Sequence, residues 1–176
     1  MSRGVVVFAL VLLVALGVVA CSLVPSVSAE GEKQPEAMAR DLWQKMQKAN
    51  YRQNWTTVPG KGTFYQGQPP HGALLSTYLN TEAVKGMKEK AGLMPKDAII
   101  VKENYSPKKE LVAVTVMYKE PGFDPEHKDW FWAKYGPKGE VQVSGKGVGC
   151  IACHGSVQSN DYVFTFPVAP LKSVGR

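Results

Sequence analysis

The chain has 176 residues, 21 basic against 15 acidic, for a formal charge of +6, with 44% hydrophobic and 20% charged residues. Those proportions exclude a disordered chain and a polytopic membrane protein, and no stretch reads as a polybasic nucleic-acid patch. Three cysteines are too few and too unevenly placed for a disulfide scaffold; the positive balance suits solubility and encounters with acidic partners.

The N-terminus reads as an export signal. Between Met1 and Val24 the only charge is Arg3, and from Gly4 to Ala20 the residues are nearly all Val, Leu, Ala, Phe or Gly. Three outcomes stay open. Val18-Val19-Ala20-Cys21 approximates a lipobox, with Cys21 acylated. Val27-Ser28-Ala29 offers ordinary cleavage before Glu30. The apolar run is also just long enough to remain as a membrane anchor. Each places residues 30–176, one domain, outside the cytoplasm.

The domain reads as helices first and strands later. Glu36 to Lys48 is expected to be helical, with Pro35 at the first position and Met38, Leu42 and Met46 as a core-facing stripe. From Asn54 to Gly72 the abundance of Gly, Pro, Thr and Gln predicts loop and turn. Leu74 to Leu79 fits strand or helix. A second helix is expected from Asn80 or Thr81, either able to cap it, to a stop near Gly92. After Pro95 four strands are predicted, at Ala98–Lys102, Leu111–Tyr118, Asp129–Tyr135 and Glu140–Ser144. Joined by Gly/Pro loops, they suggest an antiparallel meander. The fold class is therefore α+β, an antiparallel β-sheet with flanking helices and a C-terminal haem motif.

That motif is Cys150-Ile151-Ala152-Cys153-His154, the CxxCH attachment signature of c-type haem. Two thiols add across the two haem vinyl groups, and the adjacent histidine reaches the iron. A zinc site would need further ligands, and only His71 and His127 remain as histidines. A thioredoxin-like CxxC would be expected beside a βαβ pattern, which is absent. The motif lies late in the chain, unlike that of small electron-transfer cytochromes, and the strands before it argue against an all-helical cytochrome c′.

Asn50-Tyr51-Arg52 with Trp55, Ile99-Ile100-Val101-Lys102-Glu103, Asp129-Trp130-Phe131-Trp132, the CxxCH motif and Asp161-Tyr162-Val163-Phe164-Thr165 occur in this order over most of residues 50–170. In this the chain resembles cytochrome P-460 and its relative cytochrome c′-beta. The resemblance implies one covalent haem c per chain, often a homodimer, and a five-coordinate iron that binds small nitrogen oxides. It implies hydroxylamine oxidation, with electrons passed to a redox partner, in the P-460 branch. In the c′-beta branch it implies binding of nitric oxide and other diatomic gases. A lysine joined to the macrocycle separates the two branches, and the matching residue is Lys102.

Strand alternation puts Lys102 on one face with Ala98 and Ile100; a snorkelling lysine is the plainer alternative. The distal carboxylate of the P-460 branch has no counterpart in Val112–Met117, where Thr115 occupies the region. His154 is expected as the proximal ligand. Met94, Met117 and His71 are the candidates for the opposite position, and His127 reads as solvated. Arg52 and several lysines are candidates to pair with the haem propionates.

Overall fold

The computed structural model describes Met1 and residues 35–169. The export signal and Cys21 lie outside the described residues. Among those described, no helix is long and apolar enough to cross a membrane.

Helix α1 spans Pro35–Lys48, with Glu36 in its first turn and Lys45 and Lys48 in its last, as the helix dipole favours. It buries Ala39, Leu42 and Met46. A single helical turn, α2 (Tyr51–Asn54), follows, and then two short strands, β1 (Thr56–Thr57) and β2 (Tyr65–Gln66). The ambiguous segment is strand β3 (Leu74–Leu79). Helix α3 (Thr81–Glu89) ends at Lys90, which turns left-handed, so the helix stops earlier than Gly92. Strands β4 (Ile99–Tyr105), β5 (Leu111–Lys119), β6 (Trp130–Tyr135) and β7 (Val141–Gly145) complete the sheet. Helix α4 (Val148–His154) carries the motif, and a 3-10 segment, Gly155–Asn160, follows it.

The four-stranded meander expected from sequence is the larger part of a seven-stranded antiparallel sheet in the order β1-β3-β4-β5-β6-β7, with β2 also paired to β3. β1 and β2 share one neighbour, at opposite ends of β3. Each is two residues long, too short for its alternation to be read against a Gly- and Pro-rich background.

Both faces of the sheet are covered. On one, Val101, Val116, Phe131 and Tyr135 pack with Leu42 and Met46 of α1, and Tyr135 Oη donates to the Ala39 carbonyl at 2.7 Å. On the other, Ile100, Met117, Trp130 and Trp132 pack with Ala83 of α3, Tyr162, Val163 and Phe166. Consecutive strand residues point to opposite faces, so the Trp130-Phe131-Trp132 run feeds both cores. Glu103 points to the α1 side, where Tyr51 Oη, Arg52 Nε and Tyr105 Oη all donate to its fully buried carboxylate.

Asn80 ties the two halves of the second core together. Its Oδ1 accepts from Ala83 N–H and Ile99 N–H, both at 2.9 Å, and its Nδ2 donates to Asp97 O at 2.8 Å. It is a helix cap and a sheet anchor at once. Asn80→Ala is expected to lower stability by about 1–2 kcal/mol, read as a fall in the urea midpoint with an unchanged slope.

Candidate haem site

Directly opposed residues of an antiparallel pair share a face, so the sheet register defines the wall beneath α4. Thr77 of β3 faces Lys102 of β4, Lys102 faces Thr115 of β5, Thr115 faces Lys134 of β6, and Lys134 faces Val143 of β7. The next row runs Leu75, Asn104, Ala113. This is the face of Ile100 and Met117. Lys102 therefore lies where alternation puts it, with Thr115 across from it and no acid.

Two cavities open against this wall, of about 430 Å³ and 610 Å³. Pro70, His71, Cys153 and His154 line both. Lys102, Phe164 and Thr165 line the smaller, whereas Thr115, Trp132, Lys134 and Cys150 line the larger. Among the described residues lining either cavity there is no carboxylate.

Cys150 is partly buried and Cys153 exposed, and both are free thiols. Burial pushes the Cys150 thiol up. Gly147, just before α4, sits so close to the sheet that a Cβ there would lie 3.1 Å from Cys150 Sγ and 3.2 Å from Trp132 Cβ. A side chain at that position would crowd Cys150 and Trp132 and make one of them give by a few tenths of an ångström.

His154 is buried at the end of α4. Its Nδ1 donates to the Tyr162 carbonyl at 2.7 Å, since a carbonyl only accepts. The proton is thereby fixed on Nδ1, and Nε2 keeps its lone pair. Burial, opposed by the bond to Tyr162, holds the His154 pKa below its ordinary value. The ring packs 4.9 Å from Trp132 and 5.1 Å from Phe164, centroid to centroid. A neutral imidazole whose other nitrogen is anchored to a carbonyl is the usual state of a metal-binding histidine.

The Tyr162 carbonyl is aimed by an unusual piece of backbone. Asp161 and Tyr162 are both left-handed, with φ of 54° and 63°, a conformation that costs roughly 1–2 kcal/mol per ordinary residue. The fully buried Asp161 carboxylate holds it in place. It takes Lys119 Nζ on both oxygens at 2.9 Å and the Met94 N–H at 2.7 Å. The Asp161 carbonyl accepts from Trp130 Nε1 at 2.8 Å.

Burial, then the nearby Lys61 cation, lowers the Lys102 pKa to about 8. His71 lies in the loop after β2, following a cis Pro69–Pro70 bond, and its ring centroid is 6.3 Å from that of His154. Burial is the main cause that lowers its pKa to about 4. The sequence offered His71, in a loop, as one candidate for the position opposite His154; the contact between the two rings spans 83 positions of chain. The only local sign of it is Gly72, where a Cβ would lie 2.5 Å from Tyr105 N, so the loop presses on the sheet edge.

The other candidates fall elsewhere. Met94 and Met117 are buried in the second core and line neither cavity. Arg52 is on the far face with Glu103, which removes it as a propionate partner. His127 is not simply solvated, since it is paired with the buried Asp124 at 2.8 Å and its side chain is 28% exposed.

The residues fit a haem. The combined space is of the size of a cofactor cleft, Cys150, Cys153 and His154 border it, and its walls are aromatic and aliphatic with three lysines, Lys61, Lys102 and Lys134. Trp132 Nε1 is buried with no hydrogen-bond partner, and a carboxylate-bearing group in the larger cavity would supply one.

An antiparallel sheet with a cysteine- and histidine-bearing helix laid over one face defines the class as a β-rich haem-binding cytochrome. Residues 43–165 match the family model described as Cytochrome P460, and the chain belongs to that family. No curated protein matches the chain.

Proposed function

We propose that the protein is an exported monohaem c-type cytochrome that carries single electrons outside the cytoplasm. In this reading Cys150 and Cys153 hold one haem through thioethers and His154 Nε2 binds its iron. The observation that carries it is the fixed tautomer of His154, with Nδ1–H on the Tyr162 carbonyl and the lone pair left on Nε2, in a residue that lines one cavity with Cys150 and Cys153. A haem held there supplies reversible one-electron exchange at iron.

The chain's own residues do the rest. The Tyr162 carbonyl orients the imidazole, Trp132 and Phe164 pack its ring, and Lys134 with Trp132 Nε1 offers donors to the propionates. The described lining residues include no counterpart of the distal carboxylate that the resemblance to the P-460 branch implies, which supports electron carriage over hydroxylamine turnover. A redox partner with an acidic docking face suits the basic chain.

A second reading, oxidation or binding of hydroxylamine and nitric oxide with Lys102 linked to the macrocycle, is favoured by one observation. Lys102, its pKa lowered by burial, lines the same cavity as Cys153 and His154.

Both are tested by peptide mass mapping and the pyridine haemochrome spectrum of the protein made in a host that matures c-type cytochromes. The expected result is one haem on the peptide carrying Cys150 and Cys153. A Lys102 peptide joined to that haem would install the second reading instead, and a colourless product would sink both.

A further inference from the structure

Two histidines meet in the cleft, and only one belongs to the CxxCH motif. The hydrogen bonding around His71 copies that around His154. Asn104 Nδ2 donates into the sheet, to the carbonyls of Lys102 at 2.9 Å and Ala113 at 3.3 Å and to Thr115 Oγ1 at 3.2 Å. Its Oδ1 is thereby the acceptor facing the loop, and it takes the Gly72 N–H at 3.1 Å and His71 Nδ1–H at 2.9 Å. So His71, like His154, holds its proton on Nδ1 and keeps the lone pair on Nε2. A ring N–H given to a carbonyl oxygen, with the other nitrogen bare, is what metal-bound histidines show.

The separation points the same way. Two imidazoles on opposite sides of one metal ion, each at a metal–nitrogen distance of about 2 Å, have ring centroids about 6 Å apart. A histidine that only hydrogen-bonds to a small ligand on the metal stands about 2–3 Å further off. The observed separation is 6.3 Å, with the ring planes crossed at 84°. The two cavities flank this pair, and both rings line each. A flat macrocycle passing between the rings would extend into both.

We propose that His71 is the second axial ligand of the haem iron, opposite His154. The proposal rests on the haem reading above and narrows it: the iron is six-coordinate and low-spin, suited to electron transfer and closed to small ligands at rest. It departs from the five-coordinate iron that the resemblance implied. Lys102 is the more buried of the two lysines on the wall of the smaller cavity, Lys61 being exposed, so the test includes it as the competing donor.

The experiment uses the full-length holoprotein, with absorption, resonance Raman and low-temperature electron paramagnetic resonance spectra. The expected ferrous spectrum has sharp α and β bands that carbon monoxide does not alter on mixing. The expected ferric resonance is the strongly anisotropic low-spin type that crossed imidazole planes produce. His71→Ala should retain covalent haem, turn high-spin and bind carbon monoxide, and added imidazole should restore the low-spin spectrum. Lys102→Met should leave the low-spin spectrum in place.

High-spin iron in the unaltered protein, with haem c intact, overturns this proposal alone. So does a low-spin spectrum that survives His71→Ala, or one lost in Lys102→Met. If His71→Ala does not accumulate, the spin state and resonance of the unaltered protein decide. A chain recovered without haem c overturns the earlier reading and this one together.

Discussion

Asp161→Ala is expected to lower the unfolding free energy by about 3–5 kcal/mol, because it leaves Lys119 charged and buried without its partner. The Lys119 side chain is only 8% exposed, and burial already pushes its ammonium below the ordinary lysine range despite Asp161. Its ammonium also lies against the Trp130 ring, with Nζ 4.5 Å from the centroid, and feels the Asp129 carboxylate more weakly than Asp161. The same substitution strands the Met94 N–H and frees the left-handed pair Asp161–Tyr162 that aims the carbonyl at His154. Stability and the haem site should fail together. Urea unfolding followed by tryptophan fluorescence reads the first, and the fraction of chain carrying haem reads the second. Adding Lys119→Met should return most of the lost stability, since removing both charges also removes the desolvation cost. If the single variant loses less than about 1 kcal/mol, the Asp161 latch is not what holds the segment down.

Trp132→Ala is expected to cost about 3–5 kcal/mol, the usual toll of emptying a buried aromatic site. Trp132 is 2% exposed and stands between Met117 on the sheet and His154 above it. Its removal would open the wall under α4 and let the imidazole turn away. Trp132→Phe separates packing from polarity, since phenylalanine keeps an aromatic ring but has no N–H. Without a bound cofactor that N–H has no partner, so Phe should cost well under the Ala value, about 1 kcal/mol or less. Thermal melts of the two variants check the order. In the haem-loaded protein Phe should also shift the reduction potential if the indole donates to a propionate, and an unshifted potential would discard that contact.

The repetitive parts of this fold were plain in the sequence. α1 shows its apolar stripe at helical spacing, α3 announces its cap at Asn80, and β4 to β7 are β-branched or aromatic runs bounded by turn residues. Alternation puts Lys102 on the face that lines the cavity with Cys153 and His154, because a strand leaves only two choices. The rest lacked a local signal. β1 and β2 exist because β3 offers them a free edge, and the α1 face of Glu103 is visible only once Tyr51, Arg52 and Tyr105 converge on it. That convergence also gives two of the resemblance's stretches, Tyr51-Arg52 and the end of the Lys102-Glu103 strand, a purely structural reason to occur together. The meeting of His71 with His154 is a tertiary fact carried by Asn104 and by a glycine that lets the loop touch the sheet.

All seven strands precede Cys150 along the chain, while the pieces that close over it, from Gly155 to Phe166, come after. A chain that folds in the order it emerges can assemble the whole wall while the two thiols still lie on an open, accessible tail. If Cys150 and Cys153 take a porphyrin as proposed, attachment would meet an unshielded motif, and docking of the final residues would seal the product. On that proposal, attachment and folding of the sheet would not compete for the same stretch of polypeptide.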